Sequence, residues 1–246
     1  MIKRKNGLIL FFSVVFLAGC AGMMTNIVEQ FANKPLPADF SLVVPKGKVG
    51  NTVVYKVTTN EPSKTAAYQS DLQKESIYNM TITIIEDTPH QVGLKHECTY
   101  TKGIPSVYTG GRVWIDKSTG KVIKSTNIKK GGMETDGTAS AYILEFFSFE
   151  QKIAREMEDP QIAVLTNETD DASITTPAGN FSGKHIVYKK RYRKEYLAKA
   201  LFSDEIWMSE KVPVFSLVKS VKKASGKDEQ GRKLETSTVY ELISVK

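Results

Sequence analysis

The chain has 246 residues, enough for one large or two small domains, and its 41% hydrophobic and 25% charged residues are an ordinary globular balance. No stretch beyond the N-terminus is apolar enough to span a bilayer. The net charge of +7 includes Lys3, Arg4 and Lys5 at the very start.

Those three cations open an export signal. Gly7 to Leu17 is almost wholly apolar, and small residues follow. The run Leu17-Ala18-Gly19-Cys20 resembles the lipobox of bacterial lipoproteins. That resemblance implies cleavage after residue 19 and acyl chains on Cys20, so the membrane is the first expected partner. Each buried acyl methylene contributes about 0.8 kcal/mol, and several chains on one residue hold firmly. Ala21 stands where the family's inner-membrane retention signal has Asp. The resemblance therefore implies an envelope location, in the outer membrane facing the periplasm where the cell has two membranes. In an exported chain, basic character argues for anionic lipid or polymer surfaces rather than nucleic acid; a basic surface kept for solubility gives the same count.

Residues 20–39 read as a lipidated tether with one short helix, capped at Thr25 or Asn26, with Ile27, Val28 and Phe31 on one side. Lys34-Pro35-Leu36-Pro37 ends it. A single β-rich domain is then predicted over 40–246, with room for two sheet-forming halves. Val53, Tyr55 and Val57 alternate with polar neighbours, as do Tyr78, Met80, Ile82 and Ile84. Further strands are predicted at 91–100, 106–116, 121–127, 181–193, 204–209, 214–223 and 234–245. One helix is predicted from Ala139 to Met157, capped by Asp136 or Thr138, with Tyr142, Phe146, Phe149 and Ile153 recurring at three- and four-residue steps. Its wide aromatic face fits a sheet's concave side, a ligand cavity, or both. Together these predict an α+β fold, a curved antiparallel sheet or incomplete β-barrel embracing one main amphipathic aromatic helix. A weak internal repeat pairs Gly93 with Gly183 and Trp114 with Trp207.

Catalytic and metal chemistry find little support. His96 and Cys98 share a strand face, but His90 and His185 do not converge on them, so no metal and no cofactor is assigned. With Cys20 acylated, Cys98 has no disulfide partner and reads as a small buried hydrophobe. Gly-x-Ser-x-Gly and a phosphate loop are absent from the sequence, and Glu156, Glu158, Asp159, Asp170 and Asp171 read as solvated carboxylates. The expectation is that the chain is not an enzyme.

The most unusual charged segment is 184–199. Tyr188, Lys190, Tyr192, Lys194 and Tyr196 alternate with Lys189, Arg191, Arg193 and Glu195. Interleaved aromatics and cations at Lys189, Lys190, Arg191, Arg193 and Lys194 suit an anionic surface. A charged edge strand that resists pairing reads the same way.

The run 176–181, the strand Ile206-Trp207-Met208-Ser209 leading to Val212-Pro213-Val214, and Val113-Trp114-Ile115-Asp116 leading to Thr119-Gly120-Lys121 look like hairpins of the LolA/LolB-like envelope fold. That resemblance implies a half-barrel plugged by helices around a hydrophobic cavity for acyl chains. It makes the expected protein a non-enzymatic envelope lipoprotein that binds a lipid or other hydrophobic ligand, with Trp114, Tyr142, Phe146, Phe147, Phe149 and Trp207 as the lining. The alternative is a structural or interaction lipoprotein with a packed core, binding another envelope component through its basic strand.

Overall fold

The structure, a computed structural model, describes residues 35–38, 40–61, 74–103, 108–193, 200–227 and 233–246. The signal, Cys20, the tether helix and Lys194 lie outside the described residues. Eleven strands form one antiparallel sheet: β1 (Thr52–Glu61), β2 (Lys74–Asp87), β3 (Gln91–Lys102), β4 (Tyr108–Asp116), β5 (Val122–Lys129), β6 (Glu134–Asp136), β7 (Ile162–Thr176), β8 (Gly179–Tyr192), β9 (Leu201–Met208), β10 (Leu217–Lys227) and β11 (Lys233–Val245). Their order is β6-β5-β4-β3-β2-β1-β11-β10-β9-β8-β7. Two meanders therefore meet along the β1·β11 seam, and β6 and β7 are the open edges. The sheet curls: β7 contacts β11 although three strands lie between them, and Ile174, Ala178 and Phe181 of the β7–β8 hairpin pack on the common core.

Period-two patterning decides which face is buried. Val53, Tyr55 and Val57, then Tyr78, Met80, Ile82 and Ile84, then Ile186, Tyr188 and Tyr192 all turn inward. Strand β7 was not legible in the sequence. It is an edge strand, and only Ile162 and Thr176, its two end residues, are buried. Strand β8, by contrast, is not an edge, since β7 and β9 flank it.

The expected α+β fold is wrong. The molecule is an open, mostly antiparallel sheet, and the single long helix does not exist. Two short helices replace it, α1 (Ala139–Glu145) and α2 (Phe149–Glu158). The reason lies in the helical period. Successive residues turn by 100°, so Phe147 and Phe149 would face nearly opposite ways on one continuous helix. The break at 146–148 lets both bury, at 1% and 2% exposure. Tight i→i−3 bonds from Phe146, Phe147 and Ser148 close α1, and Ser148 carries non-helical angles. Ser148 is held there from afar: the Val43 amide donates to its Oγ at 3.0 Å. The start of α1 docks on β5, where the Ser140 amide donates to Asn127 Oδ1 and its hydroxyl to the Thr126 carbonyl. Gly111 makes room for that contact, since a Cβ there would stand 1.8 Å from Ser140 Oγ.

The weak repeat has a structural counterpart in a shifted register. Trp114 lies opposite Gly93, and Trp207 lies opposite His185, not Gly183.

Candidate functional site

Both helices lie on the buried face, but they meet different surfaces. Beyond the Ser140 hydrogen bonds to β5, the contacts of α1 and of the turn that follows it are apolar. Phe147 stacks on Phe215 and meets the rings of Tyr55 and Tyr240, and Phe40 meets Tyr142 edge-on. Tyr142, Phe147 and Phe149 are thus packed among core side chains, while Phe146 is half-buried at the core's margin.

Under α2 the same face carries charge. Strand β8 contributes Lys190, β9 contributes Asp204, β10 contributes Lys222, and α2 brings Lys152 and Glu156 down onto them. Lys222 and Asp204 are direct cross-strand neighbours, as are Tyr188 and Asp204. Lys152 Nζ stands 3.4 Å from Asp204 Oδ2 and 3.9 Å from Glu156 Oε1. Lys190 is paired with Glu156, and its ammonium lies over the rings of Tyr192 at 5.3 Å and Phe202 at 5.9 Å. A further pair, Arg155–Glu145 at 2.7 Å, links α2 back to α1.

Lys222 differs from the other two lysines. No carboxylate forms an ion pair with it among the described residues. Its ammonium is boxed by the rings of Phe146 and Phe149, each at 4.6 Å, and Tyr240 at 5.7 Å, and it donates to the Phe146 carbonyl at 3.5 Å. With Arg155 and Glu145 included, the cluster holds Lys152, Lys190, Lys222 and Arg155 against Glu145, Glu156 and Asp204, an excess of one cation when all are charged. The charge distribution responds accordingly. Burial, with the Lys152 charge adding to it, pushes the Lys222 amine down to about 7. Burial and Lys152 also lower Lys190. Burial works against the charge on Asp204, but Lys152, Lys222 and Lys190 outweigh it and hold that carboxyl low. For Lys152 burial is likewise outweighed, by Asp204 and Glu156, and the amine is raised. An anion placed beside Lys222 would complete the balance.

The remaining residues singled out from sequence lie elsewhere. Trp114 is half-buried and lies outside the main core, whereas Trp207 packs, partly buried, against that core's margin. Trp207 stacks on His185 at 4.7 Å, and His185 bridges Asp170 at 3.0 Å and Glu205 at 3.2 Å. In β8 the tyrosine-lysine face turns inward and the other face outward. Lys189, Arg191 and Arg193 are exposed, whereas Lys190 is 4% exposed and belongs to the buried cluster. Cys98 is free and half-buried, its thiol pushed up to about 12 by burial and by Glu97. His96 is fully buried, with no hydrogen-bond partner for either ring nitrogen, and burial lowers it to about 4. Among the described residues no group of His, Cys, Asp and Glu is placed to hold a metal, and no helix is long and apolar enough to cross a membrane.

Sequence reasoning missed Asp204 and Lys222. A polar residue in an alternating strand reads as outward-facing, and Val221 between Ser220 and Lys222 pointed to the opposite face as the apolar one.

The chain matches no protein-family model and no curated protein. Solved structures resemble it distantly. One is a protein inferred to be exported, with a YmcC-like fold, from Bacteroides fragilis: 11% identity, 84% of this chain and 100% of that one, TM-score 0.34. Another is an inferred lipoprotein from Parabacteroides distasonis: 13% identity, 84% and 99% coverage, TM-score 0.35. A DUF1329 family protein from Desulfovibrio piger gives 7% identity, 91% and 90% coverage, TM-score 0.30. Scores this low assign neither a family nor an activity.

Proposed function

We propose that this protein is a non-enzymatic lipoprotein of the bacterial envelope, anchored through acyl chains on Cys20, that binds an acidic amphiphile beneath its two helices. The anchor rests on Leu17-Ala18-Gly19-Cys20 after its apolar run, and the outer-membrane placement on Ala21. The binding rests on one observation, the unmatched cation of the buried cluster. A carboxylate or phosphate head beside Lys222 supplies the missing negative charge, and half-buried Phe146 offers the first apolar contact to the tail. Tyr142, Phe147 and Phe149 are already packed, so the ligand enters under α2 rather than into an open barrel. We read the cluster as a binding site, not a catalytic one, because Lys190 and Lys222 are 4% and 5% exposed and lie under rings.

The ring packing around Phe147 favours a second reading, an interaction lipoprotein with a packed core. Its contact surface would be the exposed row Lys189, Arg191 and Arg193, facing an anionic envelope component other than nucleic acid.

Native mass spectrometry of the acylated protein, extracted from its own envelope in mild detergent, tests the first reading. A retained acidic lipid that is lost in Lys222→Met supports it. A parent protein that carries no such lipid and binds no fluorescent fatty-acyl carboxylate favours the second. Cys20→Ala is expected to leave an unprocessed or soluble protein; a mutant still acylated and membrane-bound would refute the anchor.

A further inference from the structure

The outer face of β4, β5 and β6 holds a shallow groove of about 500 Å³, far from the buried lysines. Trp114 forms its floor. The indole is fixed from two sides. Its Nε1–H donates to Glu86 Oε2 at 2.9 Å, and Glu86 is held in turn by Gln91. Across the strand pair lies Gly93, where a Cβ would come within 3.0 Å of Trp114 Nε1. A larger residue there would tilt the ring out of its seat.

Charged side chains surround the ring. Lys124, the cross-strand partner of Trp114 and itself exposed, lies over the indole with its ammonium 5.1 Å from the ring centre, so a ligand that stacks there displaces it. Arg112 pairs with Glu134 at 3.0 Å, and Thr126 donates to the same carboxylate. Asp136 lies opposite Thr126 on β6 and completes the wall. Arg112 and Lys124 balance Glu134 and Asp136, and Glu86 behind the indole adds a negative charge, so the groove has no excess of cations to select an anion. Once the exposed Lys124 side chain swings aside, the groove offers a fixed flat aromatic surface beside paired, partly exposed donors and acceptors.

We infer that this groove is a binding site for neutral pyranose units of a glycan. The axial C–H face of a sugar ring is apolar and flat enough to lie on an indole, whose negative π face attracts C–H groups. The equatorial hydroxyls point sideways in the ring plane, where Arg112, Glu134 and Asp136 stand. Hydrogen bonds from neutral hydroxyls to charged groups are the stronger kind. A nucleotide or other phosphorylated ligand would need an excess of cations that the groove lacks, and a lipid tail would leave its polar walls unpaired. The volume is within the range of small-ligand sites, and its openness to one side suits an internal stretch of a chain. The site goes beyond the amphiphile reading and does not depend on it.

The chain has two tryptophans, so Trp207→Phe leaves Trp114 as the sole indole of the full acylated protein. Held in a zwitterionic detergent free of sugar groups, that variant is titrated with tetramers of N-acetylglucosamine and of glucose. The expected result is a saturable shift and intensity change of Trp114 emission with a dissociation constant on the order of 1 mM, unaltered by added salt. Asp136→Asn in the same background is expected to weaken binding by about tenfold with an unchanged melting temperature. Trp114→Ala in the parent, followed by calorimetry, is expected to abolish it. No saturable change with either tetramer, or binding that survives Trp114→Ala, overturns the proposal. So does stronger, salt-sensitive binding of a sulfated glycan.

Discussion

The two helices cover neighbouring parts of one sheet, yet they cover them differently. Beneath α1, rings meet rings: Phe147 lies against Tyr55, Phe215 and Tyr240. Beneath α2, Lys152, Lys190 and Lys222 gather around Asp204 and Glu156. One apolar face is fully matched; the other is a charge set short of one anion. The break at Ser148 divides the two, and Lys222 sits at the border with its amine over Phe146 and Phe149. A fold built only for stability gains little from such a cluster, because well-packed apolar residues in its place cost less desolvation. The difference between the regions is the reason for placing ligand binding at α2.

The largest expected effect is on the charged side. Asp204→Asn leaves Lys152 without its Asp204 ion pair and removes the carboxylate opposite Lys222, and should cost about 3–5 kcal/mol in urea unfolding. A loss under about 1 kcal/mol would mean that water already screens the cluster. On the apolar side, Phe147→Ala should cost a similar amount, about 3–5 kcal/mol. The adjacent Phe146→Ala, at the half-buried border, should cost about 1–2 kcal/mol. Equal losses for the two would erase the border between the regions.

Acid sharpens the comparison next, because a dry region must refuse charge. His96 is buried with its ring held neutral, its pKa lowered to about 4 from the ordinary 6.5. The unfolded chain takes up a proton below about 6.5 and the folded chain does not until about 4. Stability is therefore lost as pH falls through that window, by about 3 kcal/mol at its lower end. His96→Leu should remove this loss from a series of pH-dependent melts. Lys222 acts in the opposite range. Its folded pKa lies below the unfolded value, so its burial penalty is complete below about 7 and fades as pH rises toward 10.5. Lys222→Met should be neutral or stabilising by about 1–4 kcal/mol at pH 6. The difference from the parent should shrink at pH 9; a mutant less stable than the parent at pH 6 would show that the amine is already compensated.

The sequence made one of these regions far easier to read than the other. Tyr55, Met80 and Ile82 alternate cleanly because one face of each central strand is apolar and the other wet. Strand β7 escaped because an edge strand exposed on both faces has no alternation to show. The helix break escaped because the three- and four-residue rhythm runs on through Phe146 and Phe149. The break buries Phe147 and Phe149 together, and a hydrogen bond from Val43, 105 residues away, holds Ser148 there. The cluster was half visible. Tyr188, Lys190 and Tyr192 stood out as one face of a strand, but which face was buried depended on Asp204 and Lys222, whose polar side chains imitate solvent positions. Trp114 was expected to line an apolar cavity with Tyr142 and Phe146; in the structure it lies half-buried beside Arg112 and Lys124.

The most direct test is a titration of Lys222 itself, followed through the ε-carbon NMR signal, with and without dodecanoate. The account predicts a midpoint near 7 for the free protein, since burial and the Lys152 charge outweigh the pull of Asp204 and Glu156 on this amine. It predicts a rise when the carboxylate binds, and weaker dodecanoate binding as pH climbs above that midpoint. A midpoint close to 10.5 in the free protein, or one that dodecanoate leaves unmoved, would contradict it.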